Sequence, residues 1–322
     1  MRFTSLFAGL ALVGCSASGV TNFTGDAGGD GALPDDSGNL PFKDGTADTA
    51  PPVGTLLIYA NTDNELYTMN PTTKAVTLVG AFDDGTTTRG NVTDLAVNAA
   101  GDVWVNTDSA IYRATVPNGP GTVMLTKVTD ITLKSTQKFY ALGFTLAGTL
   151  GAGETLVAGD NLGDLYAVEA NGTTQLLGGF GTGSGNVHYE LSGDVMFFAV
   201  NGQPRGLATI RSCAGTNCTT TNDLLAEIDV AAMKTAYATK TPASLRKGLL
   251  GGGTGFGKLF GVGAWNDSVY AFSRLAGTTT PPQLIQIGVN GTGTLLKDFP
   301  QITSGWSGAG VTTSAPITIL PN

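Results

Sequence analysis

The sequence predicts an all-β fold built from repeated short strands. From residue 54 onward, apolar residues alternate with polar ones in short runs such as LLIYAN and ELYTMN, which is the period of a strand. Turn-forming stretches such as TDN and PTTK separate the runs. The chain of 322 residues has 47 glycines and only 13% charged residues. Long helices with charged outer faces are therefore not expected.

Residues 1–14, MRFTSLFAGLALVG, have the layout of a signal peptide. Arg2 supplies the positive charge, an apolar stretch follows from Leu6 to Val13, and the small residue Gly14 ends it. This stretch is much shorter than the roughly 20 residues that a membrane-spanning helix needs. We therefore predict export rather than a transmembrane segment.

The motif Leu12-Val13-Gly14-Cys15 resembles the lipobox of bacterial lipoproteins. The resemblance is confined to residues 1–15, and it implies that the chain is cut before Cys15 and that the Cys15 sulfur carries a diacylglycerol. Two or three acyl chains hold a protein on a membrane almost permanently. Ser16 follows Cys15 where an Asp would signal retention at the inner membrane, so the resemblance implies the outer membrane.

Residues 15–53 are expected to form a disordered tether. This segment is rich in Gly, Asp, Pro and Thr and carries few apolar side chains, so it cannot offset the entropy of ordering. Four aspartates raise the alternative of calcium binding, but the ligand spacing of an EF-hand is absent. They are Asp26, Asp30, Asp35 and Asp36.

The remaining residues, 54–322, contain a repeat. Tyr67, Tyr112, Tyr166 and Tyr270 recur in similar contexts, with gaps of 45, 54 and 104 residues. The last gap predicts one degenerate copy, which VNGQPRGLATIRS fits. A second series, such as VTDLAVNAAGDVWV, precedes these copies and has the pattern strand, Gly or Asp turn, strand. About four strands in about 50 residues make up a blade of a β-propeller.

Five four-stranded blades are predicted, with inner strands near residues 95, 142, 190, 249 and 310. The last, WSGAGVTT, would complete the blade begun by LLIYAN and close the ring, which removes exposed strand edges. A six-bladed ring and a pair of β-sandwiches are the alternatives. The segment LYTMNPTTKAVTLVG resembles repeat units of secreted bacterial β-propeller proteins of unknown function; this resemblance implies a fold and no activity.

Cys213 and Cys218 are the two thiols that remain after Cys15, and in an exported protein they are expected to form a disulfide. A metal site would need two more ligands, and the chain has a single histidine, His188. No metal and no cofactor are expected. The stretch GGTGFGKL has the glycine and lysine spacing of a phosphate loop, but Leu259 replaces the Ser or Thr that would hold Mg²⁺. We interpret it as part of an inner strand.

His188 and Glu190 lie two residues apart on one predicted inner strand, so both point to the same face. They are the candidate acid and base if the protein is an enzyme acting in the propeller channel. A structural role for the histidine is the alternative.

Two further residue sets have a functional and a structural interpretation. Trp104, Trp265 and Trp306 are candidates for stacking on a sugar, with packing between blades as the alternative. Asn and Asp side chains recur in successive turns, where they suggest either calcium sites or ordinary turn chemistry. These are Asn61, Asp63, Asn106, Asp108, Asp160, Asn161, Asn266 and Asp267.

The charge of the chain restricts the classes of partner that it is expected to bind. The net charge is −8 and the isoelectric point is near 4.6, which disfavours nucleic acid as a partner because both are negative. We expect a monomeric envelope lipoprotein that is anchored in the membrane by its lipid and whose propeller binds a protein or a glycan. An enzyme using His188 and Glu190, and a purely structural envelope protein, are the alternatives.

Overall fold

The computed structural model describes residues 57–86, 89–131, 137–219, 221–274 and 280–318. The predicted signal peptide, the predicted lipidation site Cys15 and the predicted tether lie outside these residues. The described residues form 22 strands and one helix, so the predicted all-β class is confirmed.

The first sheet has eight strands. They are β1 (Ile58–Asn61), β2 (Glu65–Met69), β3 (Val76–Asp83), β4 (Asp94–Val97), β5 (Val103–Asn106), β6 (Ala110–Thr115), β7 (Val123–Asp130) and, from the end of the chain, β22 (Gly308–Gly310). Their order is β22-β1-β2-β3-β7-β6-β5-β4. The sheet therefore consists of two four-stranded antiparallel units, whose outermost strands β3 and β7 pair in parallel. We call them units 1 and 2.

Three further sheets follow along the chain, and we call them units 3, 4 and 5. Unit 3 has the order β11-β10-β9-β8, with β16 added outside β11; unit 4 has β12-β13-β15-β17, and unit 5 has β18-β19-β20-β21. The strands are β8 (Phe139–Phe144), β9 (Leu156–Asp160), β10 (Asp164–Val168), β11 (Thr174–Gly179), β12 (Val187–Val200), β13 (Gln203–Ala214), β14 (Asn217–Cys218), β15 (Leu224–Ile228), β16 (Ala243–Ser244), β17 (Arg246–Leu250), β18 (Leu259–Trp265), β19 (Ser268–Ser273), β20 (Gln283–Ile287) and β21 (Gly293–Asp298).

The units surround a common axis. The first strand of each unit contacts the first strands of its two neighbours, in the closed order β22, β4, β8, β12, β18 and back to β22. Each hydrophobic cluster of the described residues lies between two adjacent units. This is a propeller-like arrangement, in which apolar sheet faces are buried against neighbouring sheets.

The end of the chain closes the ring as the sequence predicts. In β22, Gly310 pairs with Tyr59 of β1, so the last strand of the chain completes the unit that its first strands begin. Trp306 precedes β22, is fully buried and makes edge-to-face contacts with Tyr67, Phe272 and Phe299. Closure therefore rests on both strand pairing and aromatic packing.

Glycines allow the inner strands to approach closely. A Cβ added at Gly193 would lie 2.3 Å from the Phe260 Cα, and one added at Gly261 would lie 2.5 Å from the Gly308 carbonyl carbon. Both distances are far below van der Waals contact. Because β12, β18 and β22 are neighbours at the axis, any side chain at these positions would push the strands apart.

The predicted phase of the repeat is wrong in the last third of the chain. Leu249 belongs to β17, the outermost strand of unit 4, and the inner strand of unit 5 is β18. The stretch GGTGFGKL is mainly the loop between these strands and not an inner strand. Tyr270 lies in the second strand of its unit, whereas the other three repeat tyrosines lie in third strands. Extra residues inserted in unit 4 shift the repeat along the chain, so a regular period places the inner strand of unit 5 too early.

That insertion contains α1 (Val230–Thr239), which the sequence analysis did not predict. Asp229 caps its first turn by accepting a hydrogen bond of 2.9 Å from the Ala232 N–H, and Lys240 ends it in the left-handed conformation. Met233 and Ala236 are buried, and Met233 belongs to the cluster between units 3 and 4.

The segment VHYELSGDVMFFAV also differs from its prediction. It forms one strand of 14 residues, β12, instead of two strands joined by a turn. Pairing with β13 is interrupted after Leu191 and resumes at Val195, so that Ser192, Gly193 and Asp194 form an irregularity within the strand. The Ser-Gly-Asp triplet, which suggested a turn, is a β-bulge.

Candidate functional site

A cavity of about 720 Å³ opens at the end of the fold where the inner strands begin. We call this end the mouth. Its walls come from the first residues of the inner strands and from turns that join second to third strands, including Asp63, Asp108 and Asn161. A volume of this size lies within the range of about 300 to 1,000 Å³ that is usual for small-ligand sites.

Three inner strands are irregular where they border the mouth. The breaks in pairing register fall at Tyr140 in β8, at Ser192 and Gly193 in β12, and at Phe260 in β18. All four residues line the cavity. Bulges are frequent next to binding sites because they redirect side chains out of the regular alternation.

The two aromatic side chains at these bulges are exposed to the mouth. Tyr140 is 39% exposed and Phe260 is partly buried. Neither contributes to the hydrophobic clusters that the described residues form. Their rings are therefore available for contact with a ligand rather than committed to the core.

The charged side chains of the cavity occur as three ion pairs, each with one cation and one carboxylate. The pairs are Arg274 with Asp63 at 2.5 Å, Arg211 with Glu190 at 2.8 Å and Lys138 with Asp108 at 3.8 Å. The formal charge of the lining thus sums to zero, although it contains six ionised groups.

Asp63 is the centre of the most connected of these pairs. Both of its oxygens accept hydrogen bonds from Arg274, at 2.5 and 2.9 Å. The Ser307 hydroxyl donates to one oxygen at 2.5 Å and the Asn91 amide to the other at 3.2 Å. Since these partners come from different units, Asp63 joins the two ends of the ring at the mouth. The N–H groups of its own turn donate to the Thr62 hydroxyl instead, so this carboxylate does not have the turn role that the sequence suggested.

Ser192 has a buried carboxylate behind it. Its hydroxyl donates a hydrogen bond of 2.6 Å to Asp223, which also accepts one of 2.8 Å from the Leu259 N–H. Asp223 is 1% exposed, and its burial raises its pKa to about 6. Its other oxygen, Oδ1, has no hydrogen-bond partner among the described residues. Ser192 thus presents to the cavity an oxygen whose proton is already committed to Asp223.

Two fully buried aspartates lie near the axis. Asp194 accepts hydrogen bonds of 2.6 Å from the N–H groups of Val195 and Val262, while Asp94 accepts from Leu95 at 2.7 Å and Leu142 at 2.6 Å. Burial raises the pKa of both carboxyl groups well above the usual range, and each interacts with the other. The two share a proton.

Asp194 has more backbone donors than Asp94. It accepts from Val195, Val262 and Ala309, whereas Asp94 accepts from Leu95 and Leu142. A negative charge on the pair is therefore better stabilised on Asp194 than on Asp94. Together the two residues connect all five inner strands to a neighbour: Asp94 connects β4 to β8, and Asp194 connects β12 to β18 and β22.

Beyond the mouth the axis is nearly filled. The gap between the inner strands has a volume of about 20 Å³, which is room for about one water molecule. A ligand therefore has space at the mouth but not along the axis.

His188 and Glu190 are brought together, with 3.2 Å between Nε2 and Oε1. Glu190 lines the cavity, whereas His188 does not. The other Glu190 oxygen accepts two hydrogen bonds from Arg211, at 2.8 and 3.2 Å. Both oxygens of the candidate base thus already have partners.

The predicted disulfide between Cys213 and Cys218 is confirmed. It joins β13 to β14 beside His188 and Glu190. The ligand-type atoms of His188, Glu190 and Cys213 lie within 4.8 Å of one another, but the Cys213 sulfur is bonded to Cys218. This group therefore offers two ligands and does not form a metal site.

The tryptophans do not form a platform at the mouth. Trp306 is fully buried, and Trp104 is 8% exposed and packs edge-to-face on Phe144. Trp265 is partly buried and packs against two of the clusters. None of the three lines the cavity. Their positions fit the alternative interpretation, in which tryptophans pack between neighbouring units.

The two aromatic residues that line the mouth lie in similar short segments of the sequence, a similarity that could have identified them. KFYALG, residues 138–143, and KLFGVG, residues 258–263, share the pattern Lys, apolar, aromatic, small, apolar, Gly. Both segments begin inner strands, and Tyr140 and Phe260 occupy the same position in them.

Asp94 and Asp194 occupy equivalent positions in two other inner strands. Each accepts a hydrogen bond from the backbone N–H of the next residue and one from a backbone N–H on the neighbouring inner strand.

The turn residues Asn266 and Asp267 are not at the mouth. They follow β18, the inner strand of unit 5, and so lie at the opposite end from the turns that contain Asp63, Asp108 and Asn161. The predicted ring of equivalent Asn and Asp turns is therefore incomplete. Asp160 uses its carboxylate for its own turn, accepting from the N–H groups of Leu162 and Asp164.

Together these features define a propeller-like, disulfide-containing all-β protein with a polar cavity at one end. Among the described residues no helix is long and apolar enough to cross a membrane. No protein-family model and no curated protein matches the chain.

Solved structures of similar shape include a protein of unknown function from Bacteroides caccae, with 10% identity and a TM-score of 0.40 over 80% of this chain and 98% of that one. They also include a nidogen/laminin complex, with 14% identity and a TM-score of 0.42 over 84% of this chain and 100% of that one. The Dos1 propeller has 13% identity and a TM-score of 0.34 over 81% and 70%. At these values they contribute nothing to the functional argument.

Proposed function

We propose that this protein is a monomeric lipoprotein of the cell envelope, held on the outer membrane by Cys15, and that its domain is a five-bladed propeller that binds a ligand at the mouth. The lipobox resemblance supports the anchor. The five four-stranded units and the closed order of their inner strands support the blade number.

The observation that carries the binding role is the coincidence of irregular backbone and cavity. Tyr140, Ser192 and Phe260 each lie at a register break in a different inner strand, and all three line the same cavity. Register breaks also occur between the third and fourth strands of all five units, but the breaks in the inner strands are the ones whose residues line the cavity. With the axis filled below them, a ligand held at the mouth fits better than passage through the ring.

Catalysis by His188 and Glu190 is the second candidate, supported by their contact of 3.2 Å. The Arg211 guanidinium on Glu190 favours binding over catalysis, because a general base needs a free lone pair for the proton that it takes. We assign Glu190 and Arg211 to one polar wall of the mouth, with His188 in contact with Glu190 outside the cavity lining.

The test is photocrosslinking in intact cells that make the full chain. A photoreactive amino acid replaces Leu162, which is 56% exposed and lines the cavity. The matched control replaces Leu78, which is 44% exposed on the outer strand β3. We expect an adduct from position 162 and not from position 78. Equal adducts from both, or none from position 162, would contradict the proposal.

A further inference from the structure

We infer that the ligand of the mouth is a neutral saccharide, a step that rests on the proposed binding function and specifies its ligand. Sugars present many hydroxyl groups that donate and accept hydrogen bonds, together with faces of C–H groups that pack on aromatic rings. The mouth offers partners for both.

The charges of the lining favour a neutral ligand. Arg274, Arg211 and Lys138 each have a carboxylate partner. An anionic ligand would have to compete with these carboxylates, and a cationic one with the guanidinium and ammonium groups. A hydroxyl-rich neutral ligand makes hydrogen bonds to both members of an ion pair without separating them.

The aromatic rings and the serine supply the rest of the site. Tyr140 and Phe260 line the cavity without belonging to the core clusters, so their faces remain open to a sugar ring. Ser192 donates its proton to Asp223 at 2.6 Å, which leaves its oxygen to accept from a ligand hydroxyl. Asp223 thus acts as a positioning residue.

A peptide is the weaker fit. Extended peptides bind by adding to an open strand edge, and the axis-facing edges of the inner strands are closed here. The gap between these strands is about 20 Å³, and Asp94 and Asp194 already accept the N–H groups of Leu142 and Val262.

The experiment is isothermal titration of the full chain with neutral oligosaccharides of glucose, galactose, mannose and N-acetylglucosamine. Uronic acid oligosaccharides and unstructured peptides are titrated in parallel. We expect binding of a neutral member, a loss of about tenfold or more in affinity for Tyr140→Leu and Phe260→Leu, and retention in Tyr140→Phe, which keeps the ring. Leu295→Ala, on the outer strand β21, is the matched surface control and should bind normally.

Ser192→Ala tests the hydrogen bond separately from the rings. It should weaken the same saccharide by about tenfold. Because it also removes a hydrogen bond from the buried Asp223 carboxylate, binding is compared with the wild type at a temperature and pH where both proteins are folded.

The saccharide inference is wrong if only uronic acids or peptides bind, or if Tyr140→Leu binds as tightly as the wild type. If no saccharide binds while position 162 still crosslinks to an envelope component, the inference fails and the binding function stands. If the crosslink is absent as well, both fail.

Discussion

At the residue scale, the site depends on groups whose chemistry is set by burial. Asp223 would be an ordinary acidic residue on a surface, but at 1% exposure its charged form loses hydration that two hydrogen bonds replace only in part. Its pKa therefore rises. By contrast, Glu190 lies at the cavity and accepts two hydrogen bonds from Arg211. Nothing in the local sequence distinguishes the two carboxylates; their environments do.

The first prediction concerns Asp223→Asn. Because the folded pKa of about 6 exceeds the unfolded value, the folded state binds more protons, and stability falls as the pH rises from about 4 to about 6. The loss is about 3 kcal/mol, at about 1.4 kcal/mol per pKa unit. Asparagine carries no such proton, so this part of the pH dependence should vanish.

Urea denaturation at several pH values measures this effect. The difference in unfolding free energy between wild type and Asp223→Asn should change between pH 4 and pH 6. A constant difference for Asp223→Asn would refute the assignment.

At the element scale, the inner strands are held by side chains as well as by packing. Neighbouring inner strands face each other across the axis without a regular ladder, so their N–H groups need other acceptors. Asp94 and Asp194 provide them for Leu142, Val262 and Ala309. The bulges in β8, β12 and β18 belong to the same scale, since a bulge is a property of strand pairing.

The second prediction is an asymmetry between two conservative substitutions. Asp94→Asn keeps a donor for Asp194 and loses one acceptor, so it should cost about 1 to 2 kcal/mol. Asp194→Asn removes the ionised acceptor of three N–H groups and of Asp94, so it should cost about 3 kcal/mol or more. Urea denaturation at neutral pH measures both.

The pH dependence of stability distinguishes a pair that is protonated on Asp94 from one that is protonated on Asp194. As the pH rises through the raised pKa of the pair, the shared proton is lost, two buried charges repel each other, and wild-type stability falls. In Asp94→Asn this alkaline loss should be absent. Equal costs for the two variants would show that the proton is not on Asp94.

At the scale of the whole molecule, the ring closes by joining segments from opposite ends of the domain. β1 pairs with β22, Trp306 fills the space between units 5 and 1, and Asp63 binds Arg274 and Ser307 at the mouth. Closure leaves each unit with two neighbours. The cavity exists only because all the inner strands begin at the same end.

The third prediction concerns the attachment of the molecule. In Cys15→Ala the acceptor for the diacylglycerol is gone, and the protein should leave the membrane fraction and lose incorporation of labelled fatty acid. Cys213→Ala is the matched control, because it removes a different cysteine and should leave fatty acid labelling intact. Labelling that persists in Cys15→Ala would contradict the anchor and the compartment derived from it.

Features that depend on local pattern could be predicted from the amino-acid sequence. Alternation at period two and turn residues fix the strands, and the tyrosine repeat fixes their grouping wherever the period is regular. The spacing and number of cysteines were enough to predict the Cys213–Cys218 disulfide. Between residues 200 and 260 the predicted positions of the repeat are wrong. The insertion that contains α1 lengthens unit 4, and strand spacing alone cannot distinguish the outer strand of one unit from the inner strand of the next.

The composition of the mouth depends on contacts between distant parts of the chain. Tyr140, Ser192, Phe260 and Asp223 are separated by up to 120 residues and meet because inner strands of different units converge on one axis. Whether an aromatic ring is buried, as Trp306 is, or open, as Tyr140 is, depends on how neighbouring sheets cover it. Burial, pKa and ion pairing arise from contacts between units, and such contacts leave no periodic trace in a single sequence.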